Sequence, residues 1–417
     1  MIKLNHQEII NLMFQLGIML LVGRALAEAA RRLRQPAVVG ELLAGILLGA
    51  TVLGNVAPDL FTMLFPDQGP SSVVLDGFVQ VAVVLLLFIS GLEVDLHIVL
   101  QQGRQALWIS LFSLIVPFGL GFLFTYFLPA FFGGSEEQRL ILSLFIGTIL
   151  GMTALPVVAR ILMDLNVFKS RMGMLIIASA MIVDILCWLI FSVVLGQMDG
   201  QEAGESNPAK TIMFTIGFMA IMLTGGRFVI NQVLPWINKK LAWPGGLLSL
   251  SLAICFLAAA FTEFIGIHAI FGAFVIGIAL GDSEHLSERA KEIIHQFINN
   301  IFAPLFFVSI GLYIDFLAGF NFVIVLVFIL LAFVSKVFGA SLGAKIGGTN
   351  LSESLAIGFG MNTHGTLEVI LGTIAFQAGI ISQQVFIAII MMVLVTILVS
   401  APLMKFMLQW RKKKKHP

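Results

Sequence analysis

Stretches of about twenty apolar residues follow one another along almost the whole chain, and a helix of that length spans the hydrocarbon of a bilayer. A window of that width finds about thirteen of them, centred near residues 16, 45, 84, 117, 150, 183, 221, 254, 274, 308, 334, 364 and 395, the ninth being short. Within hydrocarbon every backbone polar group must be satisfied inside the protein, so the expected fold class is an all-α polytopic membrane protein. Composition agrees: of 417 residues, 59% are hydrophobic and only 11% charged, far from soluble norms. The net charge of +1 carries no nucleic-acid signal. Cys187 and Cys255 both lie in apolar runs, where a cysteine acts as a small hydrophobe rather than a disulfide or metal ligand.

The basic clusters set an orientation. With thirteen spans, "RRLRQ" (31–35), "FKSR" (168–171), "NKK" (238–240) and "RKKKK" (411–415) fall on one side, expected to be cytoplasmic. The opposite loops, "PDLFTMLFPDQGPSS", "GGSEE" and "GQMDGQEAGESNP", are acidic or neutral. The N-terminus is then expected outside and the C-terminus inside. The first apolar stretch has no charged n-region or small-residue cleavage site and reads as a retained helix. Residues 1–417 read as a single transmembrane domain with no soluble regulatory domain, and "DSEHLSERAKEIIHQ" as a short amphipathic connector at the interface.

Two spans carry the marks of interruption at mid-membrane. The fifth contains Gly147, Thr148, Gly151, Thr153 and Pro156; the twelfth contains Gly358, Gly360, Asn362, Thr363, His364, Gly365, Thr366 and Glu368. Their positions differ by an odd number of spans, so they cross the bilayer in opposite senses, as inverted repeats require. Interrupted helices expose carbonyls and amides, which are tolerated where they line a cavity and useful there for holding ions. The sixth span holds one acid, Asp184, in "ASAMIVDILCW". A charge there costs about 2.5–3.5 kcal/mol on insertion scales and marks an ion pathway. Glu41, Glu93, Asp95 and Asp315 fall at helix ends, where a solvated or funnel-lining role is expected rather than ion binding.

Together, "VVGELLAGILLG", "LLLFISGLEVDL", "MTALPVVARIL", "GIHAIFGAFVIGIAL", "APLFFVSIGLYIDF" and "GMNTHGTLEVI", running from about residue 36 to residue 402, resemble the cation:proton antiporter-2 family. The likeness is greatest to its bacterial and plant cation/proton exchanger branches. The resemblance implies a sodium/proton antiporter-like fold with inverted repeats and two crossing broken helices. A core bundle including 75–196 and 299–378 would move against dimerisation and scaffold helices from the remainder. It also implies a homodimer in a bacterial inner membrane or an organelle membrane of bacterial descent.

By the same resemblance Asp184 matches the ion-binding, proton-carrying carboxylate, with Val183 where the family usually has Asp or Asn. Lys336, in "SKVFGA", matches a lysine that pairs with that missing acid in related antiporters. His364 stands where a permanent cation is usual, and Glu368 keeps the acid after it. Thr153 and carbonyls freed near Pro156 are the other expected ligands for Na+ or K+, with Asn362 in support. Duller roles are open to each: Lys336 can snorkel, Thr153 can satisfy its own helix, and His364 can pair with Glu368 four residues on. No phosphate loop, zinc spacing or nucleophile triad is present, so no enzyme activity and no cofactor beyond the transported ions are expected. The resulting expectation is one-for-one, electroneutral cation/proton exchange serving pH homeostasis. A gated cation channel and an ion-binding, transporter-like sensor are the alternatives.

Overall fold

The computed structural model describes residues 5–33, 35–66, 69–165, 167–203, 208–240, 244–312 and 314–415. Arg34, Asp67, Gln68 and residues 204–207, all used above for orientation, lie outside them. In chain order the helices are α1 (His6–Arg32), α2 (Ala37–Leu48), α3 (Leu53–Val56), α4 (Pro58–Leu64), α5 (Pro70–Leu92) and α6 (Leu96–Phe127). Then come α7 (Arg139–Gly151), α8 (Leu155–Asp164), α9 (Arg171–Ala203), α10 (Pro208–Ile221) and α11 (Arg227–Lys240). The series ends with α12 (Gly245–Phe264), α13 (Ala269–Gly281), α14 (Glu288–Leu312), α15 (Phe322–Ile346), α16 (Leu351–Met361), α17 (Thr366–Gln377) and α18 (Gln383–Lys415). A π-helical turn, Met222–Gly226, joins α10 to α11.

Eleven helical segments among the described residues are long and apolar enough to cross a membrane. The short apolar α13 and the interrupted pair α16–α17 complete the thirteen spans read from the sequence. The "DSEHLSERAKEIIHQ" stretch differs from expectation. Its helical part is the first half of α14, continuous with the span that follows, because Ala290, Ile294 and Ile298 form one buried stripe leading into Ala303–Leu305.

The chain divides into two compact units, 1–94 with 217–319 and 95–216 with 320–417. In the first, α2 packs on α14 and α5 on α13. Both pairings are backbone-close: Gly45 and Gly49 lie against the Val308 and Gly311 carbonyls, and Gly91 and Gly277 against those of Phe274 and Phe88. Small residues at such seams let helices approach where lipid supplies no hydrophobic drive. The second span thus meets the tenth and the third meets the ninth, the exchange expected of inverted repeats.

In the second unit α6 and α15 form the longest seam, with Gly339 and Gly343 against the Phe112 and Trp108 carbonyls. The helix α6 also holds α9 through hydroxyls: Ser110 Oγ donates to Ser179 O at 3.2 Å and Ser179 Oγ to Ala106 O at 3.3 Å. The buried faces of α6, α15, α9 and α18 surround the two interrupted spans, α7–α8 and α16–α17.

Candidate functional site

Both breaks fall where glycine and proline placed them. The helix α7 stops at Gly151, Met152 and Ala154 are extended, and α8 starts at Leu155 with Pro156 in its first turn. There a proline sacrifices no hydrogen bond, because first-turn amides have no intrahelical acceptor. Its effect is on continuity: a residue without N–H cannot close a bond back to Met152. The other break runs from Asn362 to Gly365 between α16 and α17.

The two breaks are bonded to each other. The Ala154 amide donates to the Thr363 carbonyl at 2.7 Å, and the Thr153 hydroxyl donates to the Met361 carbonyl at 3.0 Å. Thr153 therefore stitches the breaks together instead of satisfying a carbonyl of its own helix. Within the second break the Thr363 hydroxyl donates to Gly360 O at 3.1 Å, and Ser400 Oγ on α18 donates to Asn362 O at 2.7 Å. The Asn362 side chain is fully buried, and neither its amide nitrogen nor its oxygen makes a hydrogen bond among the described residues.

Asp184 sits on α9 with 1% of its surface exposed, between the apolar Val183 and, one turn on, the buried Cys187. A Cβ on Gly151 would come within 3.9 Å of Cys187 Sγ, which brings this face of α9 to the end of α7. Lys336 is wholly buried and does not snorkel. Its Nζ donates to the Ser113 carbonyl at 3.1 Å and to the carbonyl of Gly151, the last residue of α7. A cation at that point complements the negative end of a half-helix. Lys336 lies within electrostatic reach of Cys187, Glu368 and Asp184.

His364 and Glu368 are both buried, but the alternative open to them, a pairing with each other, does not form. Glu368 Oε2 instead accepts the Gly365 amide at 2.8 Å and caps the start of α17, while His364 faces the Leu150 backbone. The four peripheral acids divide. Asp95 Oδ1 accepts Ile98 N at 3.1 Å and Asp315 Oδ1 accepts Leu317 N at 2.9 Å, both turn-forming roles. Glu93 lies 3.7 Å from His295, and Glu41, expected to be solvated, is buried on α2.

Residues that sequence reasoning missed are Ser113 and Ser400, which act on the site from helices read as plain spans. Cys187 was seen only as a hydrophobe, although its spacing of three from Asp184 puts it on the same face. Among the described residues no group of three or more His, Cys, Asp or Glu side chains could hold a metal ion. What the crossing gathers is carbonyls, a hydroxyl and buried carboxylates, oxygen donors of the kind a hard monovalent cation takes.

Residues 17–410 match the family described as sodium/hydrogen exchanger, transmembrane. The chain belongs to that family. Among its relatives is the Na(+)/H(+) antiporter NhaS4 of Synechocystis, 29% identical over 94% of this chain and 95% of that protein. The K(+)/H(+) antiporter 1 of Saccharomyces cerevisiae is 30% identical over 94% of this chain but only 46% of its own length. Cation/H(+) antiporter 17 of Arabidopsis thaliana is 31% identical, with 48% of its length covered; this exchanger-family chain thus spans about half of these two relatives. The solved sodium proton antiporter MjNhaP1 of Methanocaldococcus jannaschii superposes with a TM-score of 0.63 at 18% identity, covering 95% of this chain and 97% of that one. That likeness is one of fold.

Proposed function

We propose that this chain exchanges a monovalent alkali cation, Na+ or K+, for H+ by alternating access, with Asp184 carrying either ion in turn. The observation that carries this is the hydrogen-bonded crossing of two interrupted helices, at Ala154 and Thr363, in the same unit as the membrane-buried Asp184. A bare carboxylate in such a place is costly, whereas a protonated or cation-bound one is nearly neutral. If only the neutralised form crosses the barrier, either ion permits the alternating step and exchange follows.

The Thr153 hydroxyl gives its hydrogen to Met361 and keeps lone pairs for a cation. Together with Asp184 and carbonyls of residues 152–154 it forms the proposed oxygen shell. Lys336, Val183, Pro156, His364, Glu368 and Asn362 shape that shell from around it. With valine at 183, Asp184 is the one carboxylate on its helix at this depth, which favours one proton per cation.

The basic clusters support a cytoplasmic C-terminus, and we place the chain in a bacterial inner membrane as a homodimer on the family resemblance. A channel is disfavoured because the relatives are named antiporters. A sensor would bind ions without flux. The deciding experiment is pH-gradient-driven flux in proteoliposomes, titrated separately with Na+, K+ and Li+. Saturable, cation-coupled proton movement supports exchange; binding without flux supports the sensor, and current far above carrier rates the channel.

A further inference from the structure

Three features around the crossing leave one group unexplained by the exchange just proposed. Lys336 is buried with two neutral carbonyls as its hydrogen-bond acceptors and no carboxylate within ion-pair distance among the described residues. Val183, next to Asp184 on α9, is apolar and fully buried. Glu368 is equally buried, with Oε2 on the Gly365 amide and Oε1 making no hydrogen bond among the described residues.

The placement of the two is complementary. Lys336 holds the carbonyl end of α7 three residues before the crossing amide of Ala154, and Glu368 holds the amide end of α17 just after the crossing carbonyl of Thr363. A Cβ added to Gly365 would meet the Ala154 side chain at 2.7 Å, so the start of α17 rests on the first break. Each charge therefore caps the half-helix end of opposite sign, and the two stand across the crossing from one another.

We propose that Glu368 is the standing counter-charge of Lys336 and that it sets the affinity of Asp184 for both proton and cation. This rests on the exchange reading. Charge then balances in both carrier states: Lys336 and Glu368 cancel, and Asp184 is neutralised by a proton in one state and by the cation in the other. Glu368 is a positioning residue that acts through Lys336 and does not touch the cargo. The titratable groups around the pair are Asp184 and Cys187 on α9, Lys336 on α15 and His364 on the second break. Of these, Asp184 alone exchanges its proton for cargo.

The test is a double-mutant cycle in proteoliposomes with Na+ and K+, using E368Q, K336Q and the pair, each checked for folding by thermal melting in detergent. E368Q leaves the lysine charge uncompensated beside Asp184. Apparent cation affinity should fall about tenfold and the pH profile should move about one unit lower, the scale of one charge at this range in a protein interior. K336Q should shift both the opposite way, and the double variant should return near wild type. Equal losses with E368Q whether residue 336 is Lys or Gln would reduce Glu368 to a helix cap and overturn the proposal. So would wild-type exchange that depends on voltage and loses that dependence in E368Q, since Glu368 would then carry a proton. If wild-type protein moves no protons with any alkali cation, the exchange reading itself fails, a result separate from either.

Discussion

The amide of Ala154 donates to the carbonyl of Thr363 at 2.7 Å, joining two chain segments 209 positions apart at the point where each leaves its helix. The first break supplies the donors and the second the acceptors, so these groups do not have to be satisfied by water or lipid. This mutual satisfaction lets irregular backbone persist at membrane depth.

Asp184→Asn should abolish exchange and leave the fold intact. The amide preserves size and burial but cannot trade a proton for a cation. Proton flux driven by Na+ or K+ in proteoliposomes checks this, beside a melting curve in detergent; coupled flux in a well-folded variant would sink the central role of Asp184.

Exchange should be indifferent to membrane potential. One proton against one cation moves no net charge, whereas two protons would move a charge worth about 2.3 kcal/mol per 100 mV. Fixing the potential with an ionophore and measuring the ion ratio at which flux reverses decides the matter. A reversal point that follows voltage points to a second proton carrier.

Pro156→Ala should weaken cation binding by roughly 3- to 10-fold. Proline occupies the first turn of α8, where it needs no acceptor; alanine brings an N–H able to bond back to Met152 and to favour a continuous helix at the cost of free carbonyls. Apparent affinities for Na+, K+ and Li+ measure this, and wild-type values for all three would remove the first break from the ligand shell.

Gly343→Ala should destabilise the protein by about 1–3 kcal/mol, the usual range for overpacking. The added methyl would lie against the Trp108 carbonyl and 2.9 Å from Ile109 Cα, and backbone cannot swing aside as a side chain can. Gly119→Ala on α6 meets nothing within 4 Å and should be neutral or stabilising by about 0.4–1 kcal/mol. Paired melting temperatures in one detergent compare them.

Glu93, just beyond the end of α5, should make stability fall as pH rises. Burial pushes its carboxyl up to about 8 from an ordinary value of 4.5. Between those limits the folded state holds a proton that the unfolded state has released, so stability declines from about pH 5 to about pH 8. Glu93→Gln should flatten that part of the melting-temperature profile, and an unchanged slope would assign it to other groups.

The sequence by itself determined the number of spans, the two that break and the acid beside them. Those properties are local: twenty apolar residues make a span in any context, clusters of glycine, threonine and proline at mid-span weaken a helix where single prolines such as Pro117 and Pro304 do not end one, and one Asp among hydrocarbon side chains stands out by composition. Tertiary structure alone decided which groups those features meet. Lys336 was legible as a buried charge, but its acceptors are backbone carbonyls of Ser113 and Gly151, groups every residue possesses and no sequence pattern marks. Ser400 likewise looks like any small residue of a membrane helix until α18 brings it to Asn362. His364 and Glu368 have the spacing of a helical pair, yet Gly365 begins a new helix between them, and an orphan amide at that start captured the carboxylate first.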